Sequence, residues 1–242
     1  MKVRGEPVGV KRWGAATDRG LRRPVNEDAL LADPPLFLVA DGMGGHAAGD
    51  VASWTAIESF IDLVGHGPVT ASEAVQAISA ANAAILEIVD RTPDKAGMGT
   101  TLCGLVSVLA GGAEHWLVVN VGDSRVYRLV GGSLRQLTVD HSEAEEMVVA
   151  GRLTREQARG YTRRNVVTRS LGTDPAPVPD SWLFPPADHE RFLVCSDGLT
   201  SEVEDGDIEG CLREQPDPQA AAEALIRMAL EARSSFLIGA KR

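Results

Sequence analysis

Leu36-Phe37-Leu38-Val39-Ala40-Asp41-Gly42-Met43-Gly44-Gly45-His46 is the stretch on which the reading of this chain turns. Leu36–Ala40 is a short apolar run without helical periodicity, as expected of a buried strand. It ends on Asp41, and the glycines beyond can adopt backbone angles closed to residues that carry a Cβ. A buried strand therefore delivers a carboxylate to its mouth, beside a backbone able to bend closely around a ligand. Mg²⁺ and Mn²⁺ are hard cations that take oxygen ligands of this kind. Taken alone, Asp41-Gly42 reads better as a turn than as a metal ligand.

Two further stretches repeat the pattern. Val121-Gly122-Asp123-Ser124-Arg125 and Cys195-Ser196-Asp197-Gly198-Leu199 each place an Asp at the end of an apolar, strand-like run. Upstream, Arg23-Pro24-Val25-Asn26-Glu27-Asp28 gathers a guanidinium and two carboxylates. Strand-end aspartates that each adjoin a glycine, three times over, are hard to explain as independent turns. In this order, together with Gly97–Thr101 (GMGTT) and Arg164–Gly172 (RNVVTRSLG), they resemble the metal-dependent Ser/Thr protein phosphatases (PPM, type-2C class) in their bacterial form. The resemblance runs from about Trp13 to about Ala232.

Composition bounds the rest. A chain of 242 residues is long enough for a sizeable core. Its net charge of −10 argues against a general nucleic-acid binder. Cys103, Cys195 and Cys211 show no CxxC spacing, and the first two lie in apolar runs as buried thiols, which suits a reduced, cytoplasmic setting. Residues 1–13, MKVRGEPVGVKRW, lack the apolar stretch of a signal peptide. The longest apolar run, around Leu102–Ala110, is far too short to span a bilayer, so no membrane segment is expected in this chain.

Read in order, Trp13–Thr17, Asp28–Leu31 and Leu36–Ala40 are predicted strands. Gly49–Val64 is predicted helical, with Val51, Trp54, Ile57 and Ile61 as its apolar stripe, and Ala74–Val89 repeats the pattern until Pro93. Thr100–Ala110, Trp116–Val121, Arg125–Val130 and Ser133–Thr138 are predicted strands, with Gly131-Gly132 as a hairpin signal. Asp140–Gly172 is polar and long for a connection. Trp182–Phe184 and Arg191–Cys195 return to strand, and Asp205–Arg213 and Pro218–Ala232 to helix. Blocks of strands and blocks of helices predict an α+β protein with two antiparallel sheets and helices outside both. The resemblance implies the same four-layer αββα sandwich, as a single phosphatase domain over residues 1–242.

The resemblance also implies the chemistry: hydrolysis of phosphoserine and phosphothreonine in proteins by a two-metal activated water, with Mn²⁺ or Mg²⁺ as the pair and a weak third ion. By that likeness Asp41 bridges both ions, the Gly42 carbonyl helps hold one and Asp197 ligates the other. Glu27 and Asp28 act mainly through bound waters. Asp123 matches the family's third-metal position, with a turn before Arg125 as the equal alternative. Arg23 is expected to clamp the substrate phosphate rather than form a surface salt bridge, because its planar fork suits two phosphate oxygens and it stands at a fixed spacing to Glu27 and Asp28; spacing alone does not exclude Arg22 beside it. His46 is either the acid that protonates the departing seryl oxygen or a helix-start residue packed on its loop. The family places a mobile flap at Asp140–Gly172, where Arg152, Arg155, Arg159, Arg163, Arg164 and Arg169 gather. Arg152, Arg155 and Arg159 are expected on one helical face, with most of the six simply solvated. The implied partners are phosphorylated proteins, a Ser/Thr kinase and its substrates, met by a monomer.

The family closes on glycine-x-x-Asp-Asn and a last strand. Here the chain reads Glu231-Ala232-Arg233-Ser234-Ser235-Phe236-Leu237, so Phe236 and Leu237 stand where that Asp and Asn belong, and no spacing rule makes Glu231 a substitute. The sandwich is accordingly expected to lack its last strand, altered after about residue 232. Two functional classes follow: a phosphoprotein phosphatase, or a catalytically impaired relative that binds phosphorylated partners through Arg23 and the flap.

Overall fold

The computed structural model describes residues 12–21, 23–44 and 48–239, the stretch 234–239 as backbone only. The apolar run Leu36–Ala40 lies in the second strand of a hairpin at the edge of the first sheet: β1 (Asp28–Asp33) pairs antiparallel with β2 (Leu36–Met43). β3 (Gly99–Thr100), β4 (Leu102–Ala110) and β5 (Ala113–Val121) follow the helical block. With β8 (Asp180–Phe184) they build one sheet in the order β1-β2-β4-β5-β8, β3 pairing with the end of β2. β6 (Arg125–Val130), β7 (Ser133–Gln136) and β9 (Arg191–Cys195) form the second, in the order β7-β6-β9. Every named pairing is antiparallel, as the blockwise order of elements predicts.

Three apolar clusters set the layers. Phe37, Cys103, Leu105, Trp116, Val118, Val126, Phe192 and Val194 lie between the sheets. On the outer face of the first sheet, Leu36, Leu38, Val106 and Val119 meet α1 (Gly49–Glu58) and α2 (Ala71–Arg91). On the outer face of the second, Tyr127 and Leu129 meet α6 (Asp205–Glu214) and α7 (Pro218–Gly239). The alternation of each strand's side chains between two buried faces explains why Leu36–Ala40 carries no polar residue. The four layers agree with the expected α+β sandwich.

Several local expectations are corrected. Trp13–Thr17 is not a strand: Ala15 has its N–H and its carbonyl taken by the side-chain amide of Gln219 at 3.0 and 3.1 Å, leaving no ladder to join. The helix from Gly49 stops at Glu58 and gives way to a 3₁₀ turn at Ile61–Leu63. Its buried face is Gly49, Ala52, Ser53, Ala56 and Ile57, whereas Trp54 and Ile61 are 55% and 53% exposed. Small residues face inward because α1 lies close on the sheet, and a tryptophan would hold it off. α2 starts earlier than predicted, at a capping box in which Thr70 and Glu73 bond reciprocally. The run predicted over Thr100–Ala110 is broken at Thr101, with consequences for the site. β7 ends at Gln136 rather than Thr138, whose hydroxyl instead accepts the Val126 N–H at 3.2 Å.

The 140–172 stretch folds as α3 (Glu143–Val149) and α4 (Arg155–Arg159). Arg152 lies outside α4, because Gly151 takes a left-handed φ of 68° and Thr154 starts a new helix with its own capping box; the expected arginine face does not form. Four of the six arginines are ion-paired: Arg155 with Glu145, Arg159 with Glu204, Arg163 with Glu143 and Arg169 with Asp180. Cys103 and Cys195 are buried and Cys211 is half-buried, all free. Among the described residues no strand follows β9, and residues 233–239 continue α7. No helix among them is long and apolar enough to cross a membrane.

Candidate active site

The register of β1 on β2 places Asp28 directly opposite Asp41. Cβ atoms of such partners stand about 5 Å apart. The ladder runs one residue further, Gly42 donating its N–H to the Glu27 carbonyl at 3.0 Å. Gly42 has to be glycine: a Cβ there would collide with the Gly49 carbonyl and sit 2.6 Å from the Glu27 carbonyl oxygen. That close approach brings the start of α1 over the end of β2, and a Cβ on Gly49 would itself meet Glu27 Oε1.

Asp197 enters from the second sheet as the first residue of the short helix α5 (Asp197–Thr200), just past β9. The preceding hydroxyl ties the sheets together, Ser196 Oγ donating to Asp28 Oδ2 at 2.8 Å. Asp123 lies in the turn from β5 to β6 and is 8% exposed. Thus Asp28, Asp41, Asp123 and Asp197, scattered in sequence, gather where the two sheets meet.

Their proximity shows in their protonation. Burial, then the charges of Asp28, Asp197 and Asp123, pushes the Asp41 carboxyl well above its ordinary range. Asp28 is raised too, by burial first, with the Ser196 hydroxyl pulling the other way. Asp123 is pushed up to about 7 by burial and then by Asp197 and Asp140, with Arg125 only partly offsetting them. The nearby guanidinium is otherwise engaged: Arg125 grips Asp140 with contacts of 2.6 to 3.1 Å. Buried carboxylates that raise one another lack a sufficient positive partner among the described residues.

That donor set suits divalent cations. Among the described residues no three His, Cys, Asp or Glu side chains close on one point tightly enough to hold an ion unaided. Mg²⁺ and its hard relatives do not require that, since they keep several waters and take only one or two carboxylates each. Carboxylates spread along a seam, with the Gly42 carbonyl beside them, fit such ions.

Arg23 stands at the rim, its side chain 67% exposed, with Nη1 2.8 Å from Glu27 Oε2. His46 and Arg22 lie outside the described residues. Sequence reasoning missed the groups that hold the carboxylates in place. Thr100 Oγ1 donates to the Asp41 carbonyl at 3.0 Å. His141 embraces the Asp123 turn, its N–H donating to the Gly122 carbonyl at 2.9 Å and its Nδ1 accepting the Gly122 N–H at 3.0 Å. Asn82, buried on α2, accepts the N–H groups of Gly172 and Thr173 and pins the end of the 140–172 stretch. The GMGTT signal pointed to Thr100; nothing in the sequence marked His141 or Asn82.

Comparison with known proteins shows the family and the fold. Residues 22–215 match the model of the family described as protein phosphatase 2C. The chain is 39% identical over 223 residues to the serine/threonine protein phosphatase PstP of Mycobacterium tuberculosis, covering 91% of this chain and 42% of that protein. It is 35% identical over 224 residues to the serine/threonine phosphatase stp of Listeria welshimeri, covering 88% of this chain and 87% of the relative. The crystal structure of the PstP catalytic domain in complex with two manganese ions superposes with a TM-score of 0.83 at 36% identity, covering 91% and 92% of the two chains. The chain belongs to the protein phosphatase 2C family. It spans less than half the length of the M. tuberculosis relative.

Proposed function

We propose that this chain is a metal-dependent protein-serine/threonine phosphatase. The observation that carries the reading is the convergence of Asp28, Asp41, Asp123 and Asp197 at the seam of the two sheets, each of the first three shifted toward its protonated form. Asp41, with the Gly42 carbonyl and Asp197, would hold a pair of Mn²⁺ or Mg²⁺ ions, and Asp123 with Asp197 a weaker third. Asp28 and Glu27 would hold the waters around them. Bound there, the ions supply Lewis acidity and charge neutralisation for attack on a phosphate monoester. Asp41 keeps its place because the strand ladder and two threonines fix its main chain, so the carboxylate is positioned before any substrate arrives. Arg23 reaches from the rim to the phosphate oxygens, exchanging Glu27 for substrate. His46 is assigned as the acid for the leaving oxygen.

The named relatives support phosphorylated proteins as substrates. We place the chain in the cytoplasm as a single-domain monomer opposing a Ser/Thr kinase; the three free cysteines agree with a reducing compartment. The direct test is hydrolysis of a phosphothreonine peptide with and without Mn²⁺. Release of phosphate that requires Mn²⁺ and is lost in Asp41→Asn supports the assignment, and metal-independent turnover overturns it.

One observation favours a second reading, an impaired relative that acts by binding phosphoproteins. Residues 233–239 continue α7, so the backbone at Phe236 and Leu237 is helical at the position where the resemblance implies an Asp-Asn motif followed by a last strand. The two readings separate on turnover: peptide binding without Mn²⁺-dependent release of phosphate selects the second.

A further inference from the structure

Thr101 occupies a break in the sheet. Val39 pairs with Cys103 and Gly42 with Thr100, so the same register sets Asp41 opposite Thr101. The Thr101 N–H donates to the Asp41 carbonyl at 2.9 Å, as a regular rung would. The returning rung is different: the Asp41 N–H donates to the Thr101 hydroxyl at 2.9 Å, while the Thr101 carbonyl takes the Thr100 hydroxyl at 2.9 Å. A side-chain oxygen has replaced a main-chain one. The same hydroxyl lies 2.8 Å from Ser124 Oγ, in the residue after Asp123. The Thr101 methyl packs on Gly122, where φ is 113° and a Cβ would be 2.5 Å from that methyl. Thr101 and Ser124 are both buried, at 1% and 0% exposure.

We infer that the Thr101 hydroxyl is a positioning group that sets the spacing between Asp41 and Asp123, linking them through the Asp41 amide on one side and Ser124 on the other. The inference rests on the metal-binding reading of these carboxylates. An ordinary ladder rung would hold Asp41 alone. A hydroxyl in its place is a shared point for the end of β2 and the turn that leads from β5 to β6, and a buried hydroxyl with two such partners cannot shift toward one without losing the other.

The test uses calorimetric Mn²⁺ titration, metal-free thermal unfolding and phosphopeptide kinetics on three variants. Thr101→Val keeps shape and methyl but removes the hydroxyl, and should weaken Mn²⁺ binding about tenfold and lower kcat with KM unchanged. Thr101→Ser restores the hydroxyl and should lie within about threefold of wild type. Ser124→Ala keeps the Asp41 rung but cuts the link to Asp123, and should weaken Mn²⁺ binding by about threefold to fivefold; it carries the test if Thr101→Val fails to fold. Wild-type Mn²⁺ affinity in a folded Thr101→Val, or in Ser124→Ala where that variant stands in, overturns the inference while leaving the functional reading intact. Loss in Thr101→Ser as deep as in Thr101→Val also overturns it, because packing would then be the cause. A wild-type chain that binds no Mn²⁺ overturns the functional reading and the inference together.

Discussion

Asp28 and Asp41 are direct partners across the β1–β2 ladder, two carboxylates set side by side in the half-buried end of a sheet. Opposed like charges destabilise a strand pair, and burial adds the cost of desolvating each. Charge removal should therefore stabilise the metal-free protein while destroying its function. Asp41→Asn is expected to raise the metal-free Tm by roughly 2–4 °C, the equivalent of about 1 kcal/mol in a domain of this size. The same variant should lose the Tm increase on adding Mn²⁺ and more than about a thousandfold in kcat, because in the proposed site this carboxylate would help hold both ions. Differential scanning with and without Mn²⁺ checks the first two, and phosphopeptide turnover the third. Asp123→Asn should be milder, showing chiefly as a raised Mn²⁺ requirement.

Arg23 is exposed and, among the described residues, paired with Glu27, so its removal should barely touch stability, within about 0.5 kcal/mol. In the proposed function its effect belongs to substrate. Arg23→Ala should raise the KM for phosphopeptide about tenfold and leave the calorimetric Mn²⁺ affinity as in wild type. A collapse of metal affinity instead would make Arg23 a support for Glu27 rather than a phosphate clamp.

His141 makes a prediction about pH. Its Nδ1 accepts the Gly122 N–H, so the folded protein holds the ring neutral, with the proton on Nε2. Nε2 stands 3.2 Å from Asp180 Oδ2 but is misaligned for a hydrogen bond. Burial lowers the pKa of the imidazole and Arg169 adds to that, while Asp180 and Asp140 pull it upward without prevailing. The unfolded ring has a pKa near 6.5, so on acidification the unfolded chain takes up the proton first. The contribution is complete above that value and is lost as pH falls toward the folded pKa, at a slope of at most about 1.4 kcal/mol per pH unit. His141→Asn, whose carbonyl can still accept the Gly122 N–H, should flatten the stability profile between about pH 6.5 and 5 relative to wild type. An unchanged slope in urea titrations across that range would show that His141 titrates freely in the fold.

Asn82 is the buried anchor of the segment that follows α4. Its Oδ1 accepts from Gly172 and Thr173, and its Nδ2 donates to the Thr173 carbonyl at 3.1 Å. Asn82→Ala leaves these main-chain groups unsatisfied and should cost about 2–3 kcal/mol. Equilibrium urea unfolding measures the loss, and limited proteolysis should show earlier cleavage within 140–173 than in wild type.

The elements read well from sequence where local chemistry governed them. The apolar run Leu36–Ala40, the Gly131-Gly132 hairpin and the aspartates at strand ends all depend on residues close in the chain. Trp54 shows where such reading stops. Periodicity put it on the buried stripe of α1, but the closeness of that helix to the sheet, set by Gly42 against Gly49, favours small residues on that face, with Ile57 buried only near its C-terminal end. The arginines of the 140–172 stretch are a second instance: their partners Glu143, Glu145, Asp180 and Glu204 are found only after folding.

By itself the sequence marked Asp41, Asp123 and Asp197 at the ends of apolar runs, and their recurrence in one order, not any single Asp-Gly pair, set them apart from turns. It also determined the layered architecture, through the alternation of strand and helix blocks. Only the tertiary structure decided how the carboxylates stand to one another. Asp28 meets Asp41 through strand register, Asp197 approaches through the Ser196–Asp28 bond between sheets, and Asp123 is tied to Asp41 through Thr101 and Ser124. Register and sheet packing are cooperative properties of contacts distant in sequence, and each is settled by which apolar faces can be buried together. No window of neighbouring residues contains that information.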